Sequence, residues 1–166
     1  MNAEQVADRI EIQKNVWDYA NAVDLKAFDG LRELFVDGGT ITYGRKARSV
    51  PDAIAWLKEQ FAKPSIRGYC HMMGNMWIDI RGDAARTMTR CLNPMEFIQA
   101  DGQVQLWFNG IWYYWTHQRT TGGWRLSAGG PHAENFDAPN GRKPKHFGWS
   151  TPPYPPVRPS PLTQPH

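Results

Sequence analysis

The sequence is short of several things, and each shortage removes a class of function. It has two cysteines in 166 residues, Cys70 and Cys91. Two do not make a disulfide framework; they fit a reduced pair in a reducing, cytoplasmic setting. The net charge is only +3, and Lys and Arg are scattered apart from Arg45-Lys46-Ala47-Arg48 and Arg142-Lys143-Pro144-Lys145. Short runs of this kind read as solvated loops, so no nucleic-acid partner is expected. No apolar run reaches membrane length and Met1-Asn2-Ala3-Glu4 does not open a signal peptide, so no membrane partner is expected. There is no Gly-rich phosphate loop, no His-x-x-x-His zinc pair and no nucleophile-elbow serine. His117 and His132 lack ligand spacing, so no metal is expected. Cys70 adjoins His71, but neighbours on a strand point to opposite faces, which argues against a Cys–His nucleophile.

Aromatics are plentiful. Eight Trp among 13% aromatic residues suggest a broad apolar pocket, a large interface, or both. Proline is uneven: nine of the thirteen fall within 135–166, including Pro152-Pro153-Tyr154-Pro155-Pro156. Residues 1–134 therefore read as one domain, and 135–166 as a Pro-rich extension lying on that domain or on a neighbouring subunit.

Periodicity predicts a helix over 3–22, with Asn2 as N-cap, Gln5 completing a capping box, and Val6, Ile10, Val16, Trp17 and Ala20 as its apolar stripe. A short helix over 26–35 turns Phe28, Leu31, Leu34 and Phe35 inward. Asp37-Gly38-Gly39 reads as a turn, Thr40–Tyr43 as a short strand and Gly44–Arg48 as a basic loop. A third helix runs from Pro51 or Asp52 to Phe61, with Ile54, Leu57 and Phe61 inward. Four strands follow, over 69–80, 84–99, 103–119 and 124–134. They are separated by the hairpin signals Arg81-Gly82-Asp83, Asp101-Gly102 and Thr121-Gly122-Gly123. The Arg-Gly-Asp triplet is a turn, not an adhesion motif. The class is α+β: three N-terminal helices packed on a curved, mainly antiparallel sheet. The third strand has Leu106, Phe108 and Trp112 on one face and Trp107, Ile111, Tyr113 and Trp115 on the other. Burial of both faces predicts a homodimer or homotrimer.

Tyr19, Asp24 and His71 are the candidate chemistry. An acid at the C-terminal end of a helix meets the wrong end of the macrodipole and needs a partner. His71 is the candidate partner, giving an oriented base, with Tyr19 as proton donor or carbonyl polariser. Each also has a plain structural reading: a core tyrosine, a turn-forming aspartate, a satisfied histidine.

The order of elements and the pieces Tyr19–Asp24, Leu34-Phe35-Val36-Asp37-Gly38, His71-Met72-Met73-Gly74-Asn75, Ile78–Ala84 and Gly123-Trp124-Arg125 resemble a known family. This is the SnoaL-like branch of polyketide cyclases, dehydratases and isomerases, which has the cone-shaped α+β barrel fold of nuclear transport factor 2. The resemblance covers roughly residues 5–134. Its pattern looks most like bile-acid dehydratase, hexachlorocyclohexane dehydrochlorinase and scytalone dehydratase. It implies a cofactor-free lyase acting on a hydroxylated polycyclic, steroid- or polyketide-like ketone. His71 would be the base, held by Asp24, with Tyr19 and Asn93 binding the reacting oxygens. Tyr43, Trp56, Met72, Met95, Phe97 and Trp112 would wall a pocket for an apolar small molecule. An isomerase, cyclase or dehydrohalogenase of the same family, or a non-catalytic small subunit or ligand-binding protein of this fold, is the alternative. The sequence departs from some members at Leu126-Ser127-Ala128-Gly129-Gly130, where an Arg would follow the last strand's Trp.

Overall fold

The computed structural model describes residues 1–137. Helix α1 spans Ala3–Asp24, and Asn2 and Gln5 cap it reciprocally, as the sequence predicts. The short second helix shrinks to a 3₁₀ turn over Phe28–Gly30 and one α-helical turn, α2, over Leu31–Leu34. Strand β1 (Phe35–Tyr43) starts earlier than expected, running through the glycine pair with an irregular register. The basic loop is a tight turn at Gly44 followed by β2 (Lys46–Ser49), which pairs back on β1. Helix α3 (Val50–Phe61) starts at an N-cap on Ser49. The long strand expected over 69–80 is two strands, β3 (Ile66–Tyr69) and β4 (Met72–Arg81), interrupted at Cys70-His71. Strands β5 (Ala84–Ile98), β6 (Val104–Thr120) and β7 (Gly123–Asp137) complete the fold. Of the extension expected over 135–166, the beginning belongs to β7 and the rest lies outside the described residues.

The seven strands form one sheet in the order β2-β1-β7-β6-β5-β3, with β4 also on β5. Every pairing is antiparallel except β1 with β7. The sheet curves around the helices without closing into a barrel. The main core joins Val16, Tyr19 and Val23 of α1 and Ala53, Ile54 and Leu57 of α3 to Ile41, Tyr113, Trp115 and Leu126 of the sheet.

The buried stripe of α1 corrects the expectation in part. Val16 and Ala20 are inside, but Val6, Ile10 and Trp17 are exposed. Asp8 and Asn15 are buried in their place. An apolar periodicity cannot find this face, because part of it is paired polar surface. Asp8 takes two hydrogen bonds from Arg119 at 2.7 and 2.6 Å and one from the Trp124 indole at 2.9 Å. The Arg119 and Trp124 bonds hold its carboxyl below the usual range. Asn15 donates to the Trp124 carbonyl and Glu11 accepts from the Trp124 amide. Gly123, with φ +94°, lets the hairpin come this close: a Cβ there would lie 2.0 Å from the Glu11 carboxylate.

The outer face of β5 and β6 is different. Leu92, Ile98, Val104, Leu106 and Phe108 stand exposed along one end of it, and Met72 joins them from β4.

His117 lies on the inner face, 2% exposed, with Nε2 3.1 Å from the Thr87 hydroxyl and Nδ1 without a partner among the described residues. Burial lowers its pKa from 6.5 to about 4. The folded state therefore keeps the ring neutral where the unfolded chain takes up a proton. Stability is complete above about pH 6.5 and is lost progressively as pH falls towards 4. Urea unfolding should show about 2 kcal/mol less stability at pH 5 than at pH 7. His117→Gln should flatten that slope; an unchanged slope in the variant would rule the assignment out.

Candidate active site

The end of α1 is where the helix leaves backbone carbonyls unpaired and where a carboxylate is least welcome. The break between β3 and β4 supplies donors to both, adding to the Lys26 amide that already bonds the Val23 carbonyl. Tyr69 donates its hydroxyl proton to the Val23 carbonyl at 3.0 Å. Asp24, the last helical residue, binds His71 twice. The His71 amide donates to Oδ2 at 2.9 Å, and Nδ1 lies 2.5 Å from Oδ1. With the Nδ1 proton facing a carboxylate, Nε2 is left with its lone pair free to accept a proton. One carboxylate thus holds both the ring nitrogen and the backbone amide of the same residue.

The break is pinned from behind as well. The Cys70 amide donates to the Pro94 carbonyl at 3.2 Å, and the Asn93 amide nitrogen donates to the Cys70 carbonyl at 2.8 Å. Asn93 thus commits one of its protons to holding the segment that carries His71. Cys91, on the same strand, is buried, and burial reinforced by Asp24 pushes its thiol up to about 12. It is a protonated core residue, not a nucleophile. Cys70 is exposed and likewise unbridged.

His71 opens onto a cavity of about 740 Å³ between the inner sheet face, α1 and α3. That is within the usual range for small-molecule sites, roughly 300–1,000 Å³. Of the residues singled out in the sequence, Tyr19, Tyr43, Trp56, Asn93 and Met95 line it. Tyr19 and Tyr43 share a hydrogen bond of 2.5 Å between their hydroxyls. Burial, above all, raises both phenols well above their ordinary pKa. Both are therefore protonated at neutral pH and able to donate. Trp56 stacks on Tyr43 at 4.6 Å and carries the Arg48 guanidinium over its ring at 4.7 Å.

Three expected wall residues are elsewhere. Met72 and Trp112 lie on the outer face, where Met72 is 55% exposed and Trp112 lies under the Arg90 guanidinium at 4.1 Å. Phe97 is on the inner face but packs at a tilt on Trp107 at 4.8 Å, beyond the cavity lining. Strand parity is the reason. Asn93 faces inward and pairs with Asn109, so Ile111 and Tyr113 of β6 face inward with it and Trp112 does not. The residue that sequence reasoning missed is Tyr113, 2% exposed, which lines the cavity with its ring edge-on to His71 at 5.9 Å. Its parity with Trp115 and His117 was the available signal. Tyr69 was missed too; it lines the cavity, and burial lifts its phenol to about 12.

The segment where some members of the resembled family carry an Arg is closed to side chains at Gly129 and Gly130. A Cβ at these positions would lie 2.0 Å from the Tyr114 carbonyl oxygen and 2.1 Å from that of Thr42. Pro131 follows and lines the cavity.

The arrangement holds an oriented base facing an apolar cup that contains a pair of protonated phenols. It suits removal of a proton from a substrate together with donation of one to an oxygen. Comparisons with known proteins bear on the family and the fold. An uncharacterized protein of Mycobacterium tuberculosis (strain H37Rv) is 33% identical over 129 residues, covering 76% of this chain and 85% of that one. A nuclear transport factor 2-like protein with a cystatin-like fold from Novosphingobium aromaticivorans superposes with a TM-score of 0.62 at 20% identity, covering 77% and 82% of the two chains. Hexachlorocyclohexane dehydrochlorinase LinA-type3 from Novosphingobium barchaimii superposes with a TM-score of 0.69 at 19% identity, covering 80% and 90%. At those identities the two structures establish the nuclear transport factor 2-like fold. The profile of the SnoaL-like domain matches residues 4–128, and the chain belongs to that family.

Proposed function

We propose that this protein is a cofactor-free lyase of the dehydratase type, acting on a hydroxylated polycyclic, steroid- or polyketide-like ketone. The observation that carries the reading is the doubly held Asp24–His71 pair opening onto the cavity. A cavity beside the pair supports catalysis over a purely assembling role. His71 Nε2 removes the proton from the carbon next to the substrate carbonyl, and Asp24 stabilises the imidazolium that forms. The electron pair moves through the enolate and expels the hydroxyl on the next carbon. That hydroxyl leaves as water with a proton from the Tyr43–Tyr19 pair, and the proton on His71 restores the phenol through solvent. Tyr113 and Asn93, on the same wall, position the substrate. Isomerisation, cyclisation and loss of a halide share the first step. The kinship with a dehydrochlorinase supports this group of reactions without choosing among them.

The exposed apolar residues on the outer face of β5 and β6 support a homodimer or homotrimer, in which a second copy covers that face. No helix among the described residues is long and apolar enough to cross a membrane. The reading remains one of a cytoplasmic protein.

His71→Ala should lower turnover of a ketol substrate about 10²–10⁴-fold while ligand affinity, followed by intrinsic fluorescence, changes little. Retained turnover would sink the base assignment. Asp24→Asn should lower kcat about as far, because an amide offers Nδ1 a donor instead of an acceptor and favours the wrong tautomer. A kcat within about twofold of the parent would show that the carboxylate is only structural. Light scattering should give a dimer or trimer mass, and Phe108→Asp should shift it towards the monomer. A monomeric parent protein at micromolar concentration would refute the interface.

A further inference from the structure

Among the described residues, the cavity lining contains no Asp, Glu or Lys, and one side chain that is cationic at every accessible pH, Arg45. Arg45 follows Gly44 in the turn between β1 and β2 and lines the cavity from its exposed side. It is exposed and has no hydrogen-bond or ion-pair partner among the described residues. Its neighbour in the run, Arg48, is occupied: it lies over Trp56 and donates to the Lys46 carbonyl at 3.2 Å. Three acids of the neighbouring elements already have partners. Asp52 accepts from Ser49, Asp29 from Lys58, and Asp24 from His71. The apolar floor and His71 lie inside, and a guanidinium with no charged partner among the described residues stands at the exposed edge.

From this geometry we infer that the substrate is amphiphilic, an apolar ring system ending in a carboxylate, and that Arg45 is the residue that selects for the acid. The inference deepens the lyase reading, since it rests on this cavity being the substrate site. A planar guanidinium meets a carboxylate through two parallel N–H donors, whereas a neutral ester offers only weak acceptors. Because Arg45 is on the rim and partly in water, the expected preference is modest, about fivefold. Screening by salt should weaken it.

The test is a binding titration of the full chain with pyrenebutyric acid and its methyl ester, followed by pyrene fluorescence. The parent protein should bind the acid about fivefold more tightly than the ester at low salt. Arg45→Ala should remove that preference by weakening the acid alone, and Arg45→Glu should reverse it. In His71→Ala the preference should persist, which separates an anion at the rim from one at the base. Equal binding of acid and ester by the parent would overturn the inference. So would equal weakening of both in Arg45→Ala, loss of the preference in His71→Ala, or failure of both probes to bind. The readout involves no turnover, so the lyase reading and this one can fail separately.

Discussion

The Asp24 carboxylate grips His71 by its ring and by its backbone amide, and much of the molecule is arranged so that it can. A carboxylate at the C-terminal end of a long helix sits in an unfavourable field, and the strand break opposite it supplies the compensating donors. Tyr69 ties the same helical turn to the same break, and Asn93 ties the break to the neighbouring strand. The imidazole is thereby fixed in position and tautomer before any ligand arrives, which is the preorganisation that acid–base catalysis needs. A continuous strand through residues 70 and 71 would have alternated its side chains regularly. The interruption is what aims His71 at both Asp24 and the cavity.

The other end of α1 is held by a different device. Asp8, Glu11 and Asn15 fasten to Arg119 and Trp124 at the hairpin between β6 and β7. One helix thus spans from the hairpin between β6 and β7 to the break between β3 and β4. Between the two ties lies the apolar stretch Ile12, Val16, Tyr19 and Val23. Tyr19 belongs to that packed stretch and to the cavity at once. Its ring meets Trp115 edge-on at 4.7 Å while its hydroxyl bonds Tyr43. Packing locks the ring and burial keeps the phenol protonated, so stability and chemistry draw on the same contacts.

The sequence made the class, the element order and the Asp24–His71 pairing legible, because capping residues, turn glycines and a misplaced acid are local signals. What it hid were consequences of pairing between distant strands. Trp112 and Tyr113 are adjacent aromatics, and only the register of β6 against β5 decides which faces the cavity. The inner face of α1 was misread for a related reason. Asp8 and Asn15 are tolerable inside only because Arg119 and Trp124, more than a hundred residues away, pair with them. The strand break at Cys70-His71 was invisible too, since Tyr69 to Ile80 has the composition of one unbroken strand.

The parallel pairing of β1 with β7 sets an order on the making of the site. Ile41 lies beside Gly129 in that pairing, and the backbone of Thr42 packs on Gly130, so the strand that delivers Tyr43 is seated on nearly the last strand of the domain. Contacts of such long sequence separation carry a large loop-closure entropy and form late. During synthesis, α1, α3 and the β4–β5–β6 meander can associate while the wall beneath Tyr43 is still unmade. The phenol pair is then among the last features of the domain to assemble, and a chain stalled before β7 would hold its Asp–His pair without the Tyr19–Tyr43 bond across the cavity.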